Sequence, residues 1–207
     1  MPKQETLIPY PWHSLLAKKE PFNLFGYGSL INQFSSQKAI NNSTELIPVM
    51  GYGIKRVMNY DPDENVRSRE IYQDTERGDE YFGVFNLEYT ANSKDIANGV
   101  MRTVEPSDFE NFVKREVGYS LVKIECRLFE NIDDEPFEAY TLVAPLEFNG
   151  RKLVNNKLLP NVPYYKICRD GAEHISKQFL EVWLDTSFLG DDRNVREWEK
   201  EEGLKFN

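Results

Sequence analysis

Residues 25–30 read Phe-Gly-Tyr-Gly-Ser-Leu, where a short apolar run enters a glycine-rich turn. The apolar residues 22–27 predict a buried strand, and Gly28 followed by Ser29 predicts a sharp turn at its end. Backbone amides in such a turn can converge on an oxyanion or a carboxylate without help from side chains. We therefore expect a binding site for a negatively charged group where this strand ends.

Two common glycine motifs do not fit this turn. A dinucleotide-binding fingerprint requires a third glycine where Ile31 stands. A nucleophile elbow requires glycines at the positions of Tyr27 and Ile31, which makes Ser29 a poor nucleophile. The chain has only two histidines, His13 and His174, and neither lies in a recognisable catalytic or zinc-binding motif. An acyl hydrolase that uses Ser29 as its nucleophile is therefore the weakest of three functional hypotheses. It predicts that serine-reactive probes label the protein.

Strand and helix patterns on both sides of the turn follow one another without strict alternation. Strand patterns occupy residues 46–60, 81–89, 119–128 and 138–145, and helix patterns occupy residues 92–101, 108–118 and 170–183. Ser107 and Glu110 predict a capping box at the start of the second of these helices. This mixture predicts an α+β fold in which a mixed sheet curls into a small barrel with flanking helices.

The length of 207 residues favours a single domain. Three prolines among residues 1–20 predict an irregular N-terminal arm, followed by the domain itself at residues 21–185. Residues 186–207 are rich in charge and predict a polar C-terminal helical segment. Residues 61–79 form a charged excursion, which we expect to be a loop or a hairpin.

Charge and cysteine usage exclude several classes of partner. The chain has 25 Lys and Arg against 34 Asp and Glu, a net charge of -9, which disfavours binding to nucleic acid or to an anionic membrane. No stretch approaches the roughly 18 apolar residues that a membrane-spanning helix needs. Two distant cysteines, Cys126 and Cys168, suit a reducing compartment, and Cys126 is predicted to be a buried structural thiol. We expect a soluble cytoplasmic protein.

Glu116 is the most unusual acidic residue of the sequence. Its spacing from Phe109, Phe112 and Val113 places it on one apolar stripe of the predicted helix. A carboxylate on an apolar face, near the negative end of the helix dipole, holds its proton more tightly than in water and can act as a base near neutral pH. The alternative, favoured on pattern alone, is that Glu116 faces solvent or pairs with Lys123.

The order of several short motifs resembles the gamma-glutamylcyclotransferase-like family. Residues 25–30 are similar to the Tyr-Gly-Ser-Asn/Leu loop, which comes early in that fold and binds the glutamyl part of the substrate. Further landmarks follow in the family's order over residues 22–185: Gly51-Tyr52, Phe82-Gly83-Val84-Phe85, Arg115-Glu116 with Tyr119, Pro163-Tyr164 and Gly171-Ala172. Two features depart from the family: residues 112–115 replace its frequent Leu-Asp pair, and the excursion at residues 61–79 can reshape the substrate mouth.

The resemblance implies a gamma-glutamyl cyclotransferase, a transferase or lyase that needs no metal and no cofactor. Intramolecular aminolysis of a γ-glutamyl substrate would release 5-oxoproline and a free amine or amino acid. By resemblance, Glu116 is the single catalytic acid/base. The substrate-binding residues that the resemblance implies are Tyr27, Gly28, Ser29, Leu30, Tyr119 and Tyr164. Tyr165 competes with Tyr164 for the last position, and the spacing to Gly171 favours Tyr164.

The alternative to an enzyme is a binding or regulatory module of the same fold. Such a module would hold a small carboxylate ligand or a partner peptide without reacting with it. Retention of Glu116 favours chemistry over binding alone. Arg56 and Arg102 are candidates for binding a substrate carboxylate, although surface charges are the commoner outcome for arginine.

Overall fold

The computed structural model describes residues 7–37, 40, 45–62 and 79–206. Most of the charged excursion predicted at residues 61–79 lies outside these residues. Five strands form a closed barrel: β1 (Phe22–Gly26), β2 (Ile47–Tyr52), β5 (Ile96–Val104), β6 (Ser120–Leu128) and β7 (Phe137–Val143). The predicted α+β fold with a small barrel is therefore confirmed.

The barrel has the strand order β1-β5-β2-β6-β7. Neighbouring strands run antiparallel, except where parallel pairing of β1 with β7 closes the barrel, with Leu24 opposite Tyr140. Along β6 the buried residues alternate with partly exposed ones from Val122 to Cys126, as the sequence period predicts. The end of β1, which carries the glycine-rich turn, is thus held from both sides by barrel strands.

A second sheet packs beside the barrel in the order β10-β3-β4. It contains β3 (Ile54–Tyr60), β4 (Val84–Tyr89) and β10 (Ser187–Leu189). β10 pairs in parallel with β3, so residues 187–189 of the predicted polar C-terminal helical segment form a strand of this sheet. A short hairpin joins β8 (Glu147–Phe148) to β9 (Arg151–Lys152).

Among the described residues, six α-helices flank the sheets: α1 (His13–Leu16), α2 (Gln33–Ser36), α3 (Phe109–Arg115), α4 (Val162–Ile175), α5 (Lys177–Asp185) and α6 (Val195–Glu201). The single helix predicted at residues 170–183 is wrong, because the chain breaks at Ser176, whose hydroxyl accepts the Phe179 amide at 3.0 Å and starts α5. No helix in the described part of the chain is long and apolar enough to span a membrane.

The helix predicted at residues 92–101 is also wrong, since most of this segment belongs to β5. Both edges of β5 are paired, one with β1 and the other with β2. Gly99 contributes to this arrangement, because a β-carbon there would lie 2.5 Å from the ring of Phe25. Pairing on both edges outweighs the weak local preference from which the helix was predicted.

Helix α3 begins differently from the predicted Ser107–Glu110 capping box. A 3₁₀ turn at Pro106–Asp108 precedes it, and the amide of Glu105 donates to the Asp108 carboxylate at 3.4 Å. The box is therefore formed two residues earlier than predicted. The helix still ends just before Glu116.

Helix α4 packs directly on the segment that follows the glycine-rich turn. Gly171 allows this approach, because a β-carbon at that position would lie 2.8 Å from the backbone nitrogen of Asn32. The Asn32 side chain in turn donates to the carbonyl of Ile167 at 3.3 Å. These contacts fix the middle of α4 relative to the segment that follows β1.

Candidate active site

The turn after β1 brings its backbone against a tyrosine side chain. Tyr27 is extended, and Gly28 has a φ of +50°, from which a 3₁₀ turn continues over Gly28–Ile31. A β-carbon at Gly28 would lie only 2.4 Å from the hydroxyl of Tyr164. Glycine is therefore required at position 28 for two reasons: the backbone is left-handed there, and the Tyr164 hydroxyl lies too close for a β-carbon.

The first turn of α4 holds Tyr164 in this position. The Asn161 side chain caps the helix by accepting the amide of Tyr164 at 3.0 Å. Tyr164 is buried, whereas Tyr165 turns away and donates its hydroxyl to Glu199 Oε1 at 2.7 Å. Of the two competing tyrosines, Tyr164 is the one that lies against the turn.

Glu116 lies where α3 ends, on the inner side of a tight turn. Its amide still donates to the carbonyl of Phe112 at 3.0 Å, but its φ of -97° and ψ of 44° leave the helix. Gly118 completes the turn with a φ of +87°. Glu116 is 9% exposed, and Lys123 pairs instead with Glu138 at 2.9 Å. The alternative in which Glu116 faces solvent or pairs with Lys123 is therefore wrong.

The carboxylate of Glu116 lies within electrostatic range of the hydroxyls of Tyr27 and Tyr119. Burial raises the pKa of Tyr27 well above its ordinary value, and the negative charge of Glu116 raises it further, against an opposing backbone hydrogen bond at Leu87. Burial likewise raises the pKa of Tyr119, with smaller contributions from neighbouring tyrosines and from Glu116. Both hydroxyls stay protonated at neutral pH and can donate hydrogen bonds.

Tyr60 joins the same cluster from the end of β3. Its ring lies 4.8 Å from the ring of Tyr119, and Tyr27, Tyr60 and Tyr164 all contribute to the raised pKa of Tyr119. Four segments that are distant in sequence thus bring four tyrosines and one glutamate together.

Arg115 connects Glu116 to the turn after β1. Its Nε lies 3.0 Å from Glu116 Oε1. Its Nη1 donates to the carbonyl of Ser35 at 2.8 Å, and its Nη2 lies 3.4 Å from Ser29 Oγ and 3.5 Å from Ser35 Oγ. One guanidinium group therefore contacts the carboxylate, the turn and α2.

The remaining predicted residues are distributed unevenly. Leu30 is buried and packs toward Gly26, so its side chain belongs to the core and only its backbone can face a ligand. Ser29 is half-buried beside Arg115, while both histidines are exposed, His13 on α1 and His174 on α4. Nothing in this arrangement supplies Ser29 with a base of the kind that a hydrolase requires.

Neither Arg56 nor Arg102 is a surface charge. Arg56 is fully buried and donates to Ser187 Oγ at 2.8 Å and to the carbonyl of Asn98 at 2.5 Å, so it ties β3 to β5 and β10. Arg102 is 4% exposed, and burial lowers its pKa, as does the nearby positive charge of Arg115, while Asp108 opposes the shift. Arg56 is thus structural, and Arg102 lies close enough to Arg115 for their charges to interact.

Two residues of the site have no role assigned from sequence. Arg115 enters the sequence analysis only as the neighbour of Glu116, and Tyr60 does not enter it as a site residue. A tyrosine at the end of a predicted strand is a weak signal in a chain with 11 tyrosines. The ring contact in the folded structure shows that Tyr60 reaches Tyr119.

The overall architecture matches solved structures. A protein described as a gamma-glutamyl cyclotransferase matches with a TM-score of 0.52 and 13% identity, over 78% of this chain and 85% of its own. The chain has the gamma-glutamyl cyclotransferase fold. YkqA from Bacillus subtilis shares this gamma-glutamyl cyclotransferase fold with a TM-score of 0.54 and 16% identity, over 82% of this chain and 55% of its own.

An uncharacterized protein from Homo sapiens matches the gamma-glutamyl cyclotransferase fold of this chain with a TM-score of 0.50 and 14% identity, over 78% of this chain and 85% of its own. Comparison with protein families gives no match. Comparison with curated proteins gives none either. The likeness to known proteins therefore lies in the fold.

Proposed function

We propose that the protein is a gamma-glutamyl cyclotransferase that converts a γ-glutamyl substrate into 5-oxoproline and a free amine or amino acid. One observation carries this proposal: a buried glutamate, Glu116, faces Tyr27 and Tyr119 and is joined through Arg115 to the glycine-rich turn. The shared fold supports it. Net negative charge and two free, buried cysteines support a cytoplasmic location.

The proposed reaction is an intramolecular aminolysis. The α-amino nitrogen of the glutamyl group attacks its own γ-carbonyl carbon, a new C–N bond closes the five-membered lactam, and the original γ-amide C–N bond breaks. Two protons leave the attacking ammonium nitrogen, which keeps one in the lactam, and the departing nitrogen takes up both and leaves as an ammonium, so atoms and charge balance without water. Glu116 accepts the first proton and returns it to the leaving group, which is general base and then general acid catalysis.

The turn and the tyrosines supply the remaining requirements. Negative charge develops on the γ-carbonyl oxygen, and the amides that begin the 3₁₀ turn at Gly28 have no acceptor within that turn, so they can receive it. The hydroxyls of Tyr27, Tyr119 and Tyr164 orient the folded glutamyl chain. Holding the amine against the carbonyl is itself a large contribution, since effective molarities of well-oriented intramolecular reactions reach about 10⁵ M.

Product analysis tests the proposal directly. The purified full-length protein is incubated with γ-glutamyl dipeptides, γ-glutamyl amines and glutathione, and 5-oxoproline is measured by mass spectrometry. We expect enzyme-dependent 5-oxoproline together with an equal amount of free amine. Glutamate in place of 5-oxoproline would instead indicate hydrolysis.

The matched variants are Glu116→Gln and Glu110→Gln. Glu116→Gln removes the proton carrier and is expected to reduce lactam formation by at least about 10²-fold, while the protein stays folded by circular dichroism. Glu110 lies on the same helix but is exposed beside Lys114, so Glu110→Gln is expected to retain wild-type turnover. Tight binding of a γ-glutamyl compound without any turnover would favour the non-catalytic binding module.

A further inference from the structure

Arg115 contacts both Glu116 and the turn after β1. The Nε contact to Glu116 Oε1, at 3.0 Å, uses only one edge of the guanidinium. The other edge is directed at the carbonyl of Ser35, at 2.8 Å, and at the hydroxyl of Ser29, at 3.4 Å. The planar group can hold both edges at once, which a lysine ammonium cannot do.

From this geometry we infer that Arg115 is a positioning residue that holds the Glu116 carboxylate in a fixed orientation relative to the Ser29 turn. The inference rests on the proposed function, because it assigns Arg115 a part in the work of Glu116. Glu116 lies at the end of a seven-residue helix, and Arg115 connects its carboxylate to the turn where the glutamyl group is proposed to bind. With Arg115, acid/base and turn are held as one unit.

The surrounding charges favour this arrangement. Arg102, on β5, is close enough to Arg115 for the two positive charges to repel, which favours an Arg115 directed away from β5 and toward Glu116. Arg102 on β5 interacts electrostatically with Arg115, and Tyr27 after β1 and Tyr119 before β6 interact with Glu116. The next charged and titratable groups, in contact with these residues, are Asp108 before α3, Tyr60 on β3 and Tyr164 on α4. Asp108 offsets the positive charge of Arg102, and burial raises the pKa of Tyr27 and Tyr119, which keeps both hydroxyls protonated at neutral pH.

Arg115 also favours the protonation state that the reaction needs. A carboxylate must be ionised to accept the proton of the attacking ammonium, and a cation at 3.0 Å stabilises the ionised form. Removing the cation leaves a carboxylate in a mostly buried site, where the neutral acid is favoured. Loss of Arg115 is therefore expected to alter both the orientation and the protonation of Glu116.

The test compares Arg115→Met, Arg115→Lys and Lys114→Met in the full-length protein. Arg115→Met is expected to lower kcat by about 10²-fold, the penalty typical of a misplaced reacting group. It is also expected to raise the pH midpoint of the acidic limb of the log kcat/KM profile by about one unit, because the cation beside the base is lost. Arg115→Lys keeps the charge but loses the contacts to Ser29 and Ser35, so kcat falls while the acidic limb stays near its wild-type position.

Lys114→Met is the matched control. Lys114 carries the same charge on the same helix but pairs with the exposed Glu110, so this variant is expected to leave kcat and the pH profile unchanged. Circular dichroism checks that each variant folds. If Arg115→Met does not fold, Arg115→Lys tests the inference through its lower kcat. A wild-type kcat and a wild-type acidic limb in folded Arg115→Met would overturn the inference, as would an equal shift in Lys114→Met.

A second measurement separates this inference from the proposed function. Protein labelled with carbon-13 at the glutamate carboxyl is titrated by NMR, with the Glu116 signal assigned from its loss in Glu116→Gln. The inference expects the Glu116 titration to move to higher pH in Arg115→Met and not in Lys114→Met, whether or not the protein forms lactam. Lactam formation with an unmoved titration would reject the inference alone, and a moved titration without lactam would reject the proposed function alone.

Discussion

At the scale of single residues, Gly28 is the position where the smallest change should have a large effect. An alanine there must adopt a φ near +50° and place its β-carbon 2.4 Å from the Tyr164 hydroxyl. The left-handed conformation alone costs about 1–2 kcal/mol for a residue with a β-carbon. We expect Gly28→Ala to lower the free energy of unfolding by more than this strain. Lactam formation should also fall by about 10-fold or more, because the groups that orient the substrate are displaced.

Two comparisons separate strain from displacement of the tyrosine. Gly150 has a φ of +78° with nothing within 4 Å of a β-carbon, so Gly150→Ala reports backbone strain alone in urea unfolding. Adding Tyr164→Phe to Gly28→Ala removes the clashing oxygen and leaves the ring carbon at 3.6 Å, an ordinary contact. The double variant is expected to be more stable than the sum of the two single changes predicts. Strict additivity would contradict the proposed contact.

At the scale of elements, the N-terminal arm supports the turn that carries Glu116. Ile8 pairs with Leu121 through two backbone hydrogen bonds of 2.8 Å, on the C-terminal side of the turn. The indole of Trp12 donates to the carbonyl of Tyr119 at 2.9 Å, and Tyr10 donates to the carbonyl of Val113 at 3.4 Å on the other side. The arm thus contacts the chain both before and after Glu116.

We therefore expect Trp12→Phe to weaken both the fold and the site. It leaves the Tyr119 carbonyl without its donor, at a cost of about 1–3 kcal/mol, and removes part of a fully buried ring. Trp198→Phe is the matched control, since Trp198 is equally buried and its indole nitrogen has no hydrogen-bond partner among the described residues. Urea unfolding and kcat are measured for both. Equal losses of kcat would show that the indole hydrogen bond has no part in supporting the site.

The elements also show which features the sequence could predict. The strand at 22–27 and the half-buried strand β6 were predictable because apolar residues and glycine record local geometry directly. The barrel strand β5 was mistaken for a helix because its conformation depends on two partner strands that are remote in sequence. The break at Ser176 was missed because a capping serine can also lie within a helix.

The candidate site divides in the same way. Glu116 and the glycine-rich turn stand out in the sequence, because an acidic residue on an apolar stripe and a strand that ends in glycine are both local anomalies. Tyr60 and the contacts of Arg115 depend on where β3, α2 and α3 meet, which no local pattern records. Tertiary packing decides which of the many tyrosines and arginines face Glu116.

At the scale of the whole molecule, the core contains several weak acids that the fold keeps neutral. Burial is the main cause of a raised pKa for Tyr27, Tyr119, Tyr165, Cys126 and Cys168. The pKa of Cys126, for example, rises to about 12. Arg56 is the opposite case, because burial lowers the pKa of its guanidinium to about 9. Because these groups ionise at different pH in the folded and unfolded states, the stability of the protein depends on pH in the alkaline range.

The sign of that connection follows from which state binds more protons. In the unfolded chain the cysteines lose protons near pH 8.5 and the tyrosines near pH 10, whereas the folded state retains them (ordinary values of about 8.5 and about 10). Each such group contributes stability that is complete below its unfolded pKa and falls by up to about 1.4 kcal/mol per pH unit above it. Arg56 acts in the other direction above pH 9, because the unfolded state then holds the extra proton.

The five tyrosine and cysteine groups lower the stability as pH rises, and only Arg56 raises it. The free energy of unfolding is therefore expected to decrease steeply above about pH 9. Urea unfolding between pH 7 and pH 11 measures the slope, and absorbance at 295 nm follows ionisation of the tyrosines. We expect Tyr27, Tyr119 and Tyr165 to ionise only as the fold is lost. Tyr165→Phe removes one of the five groups away from the site, so it should make the slope shallower by up to about 1.4 kcal/mol per pH unit. Ionisation of every tyrosine near pH 10, with the fold intact, would contradict the burial from which the site is built.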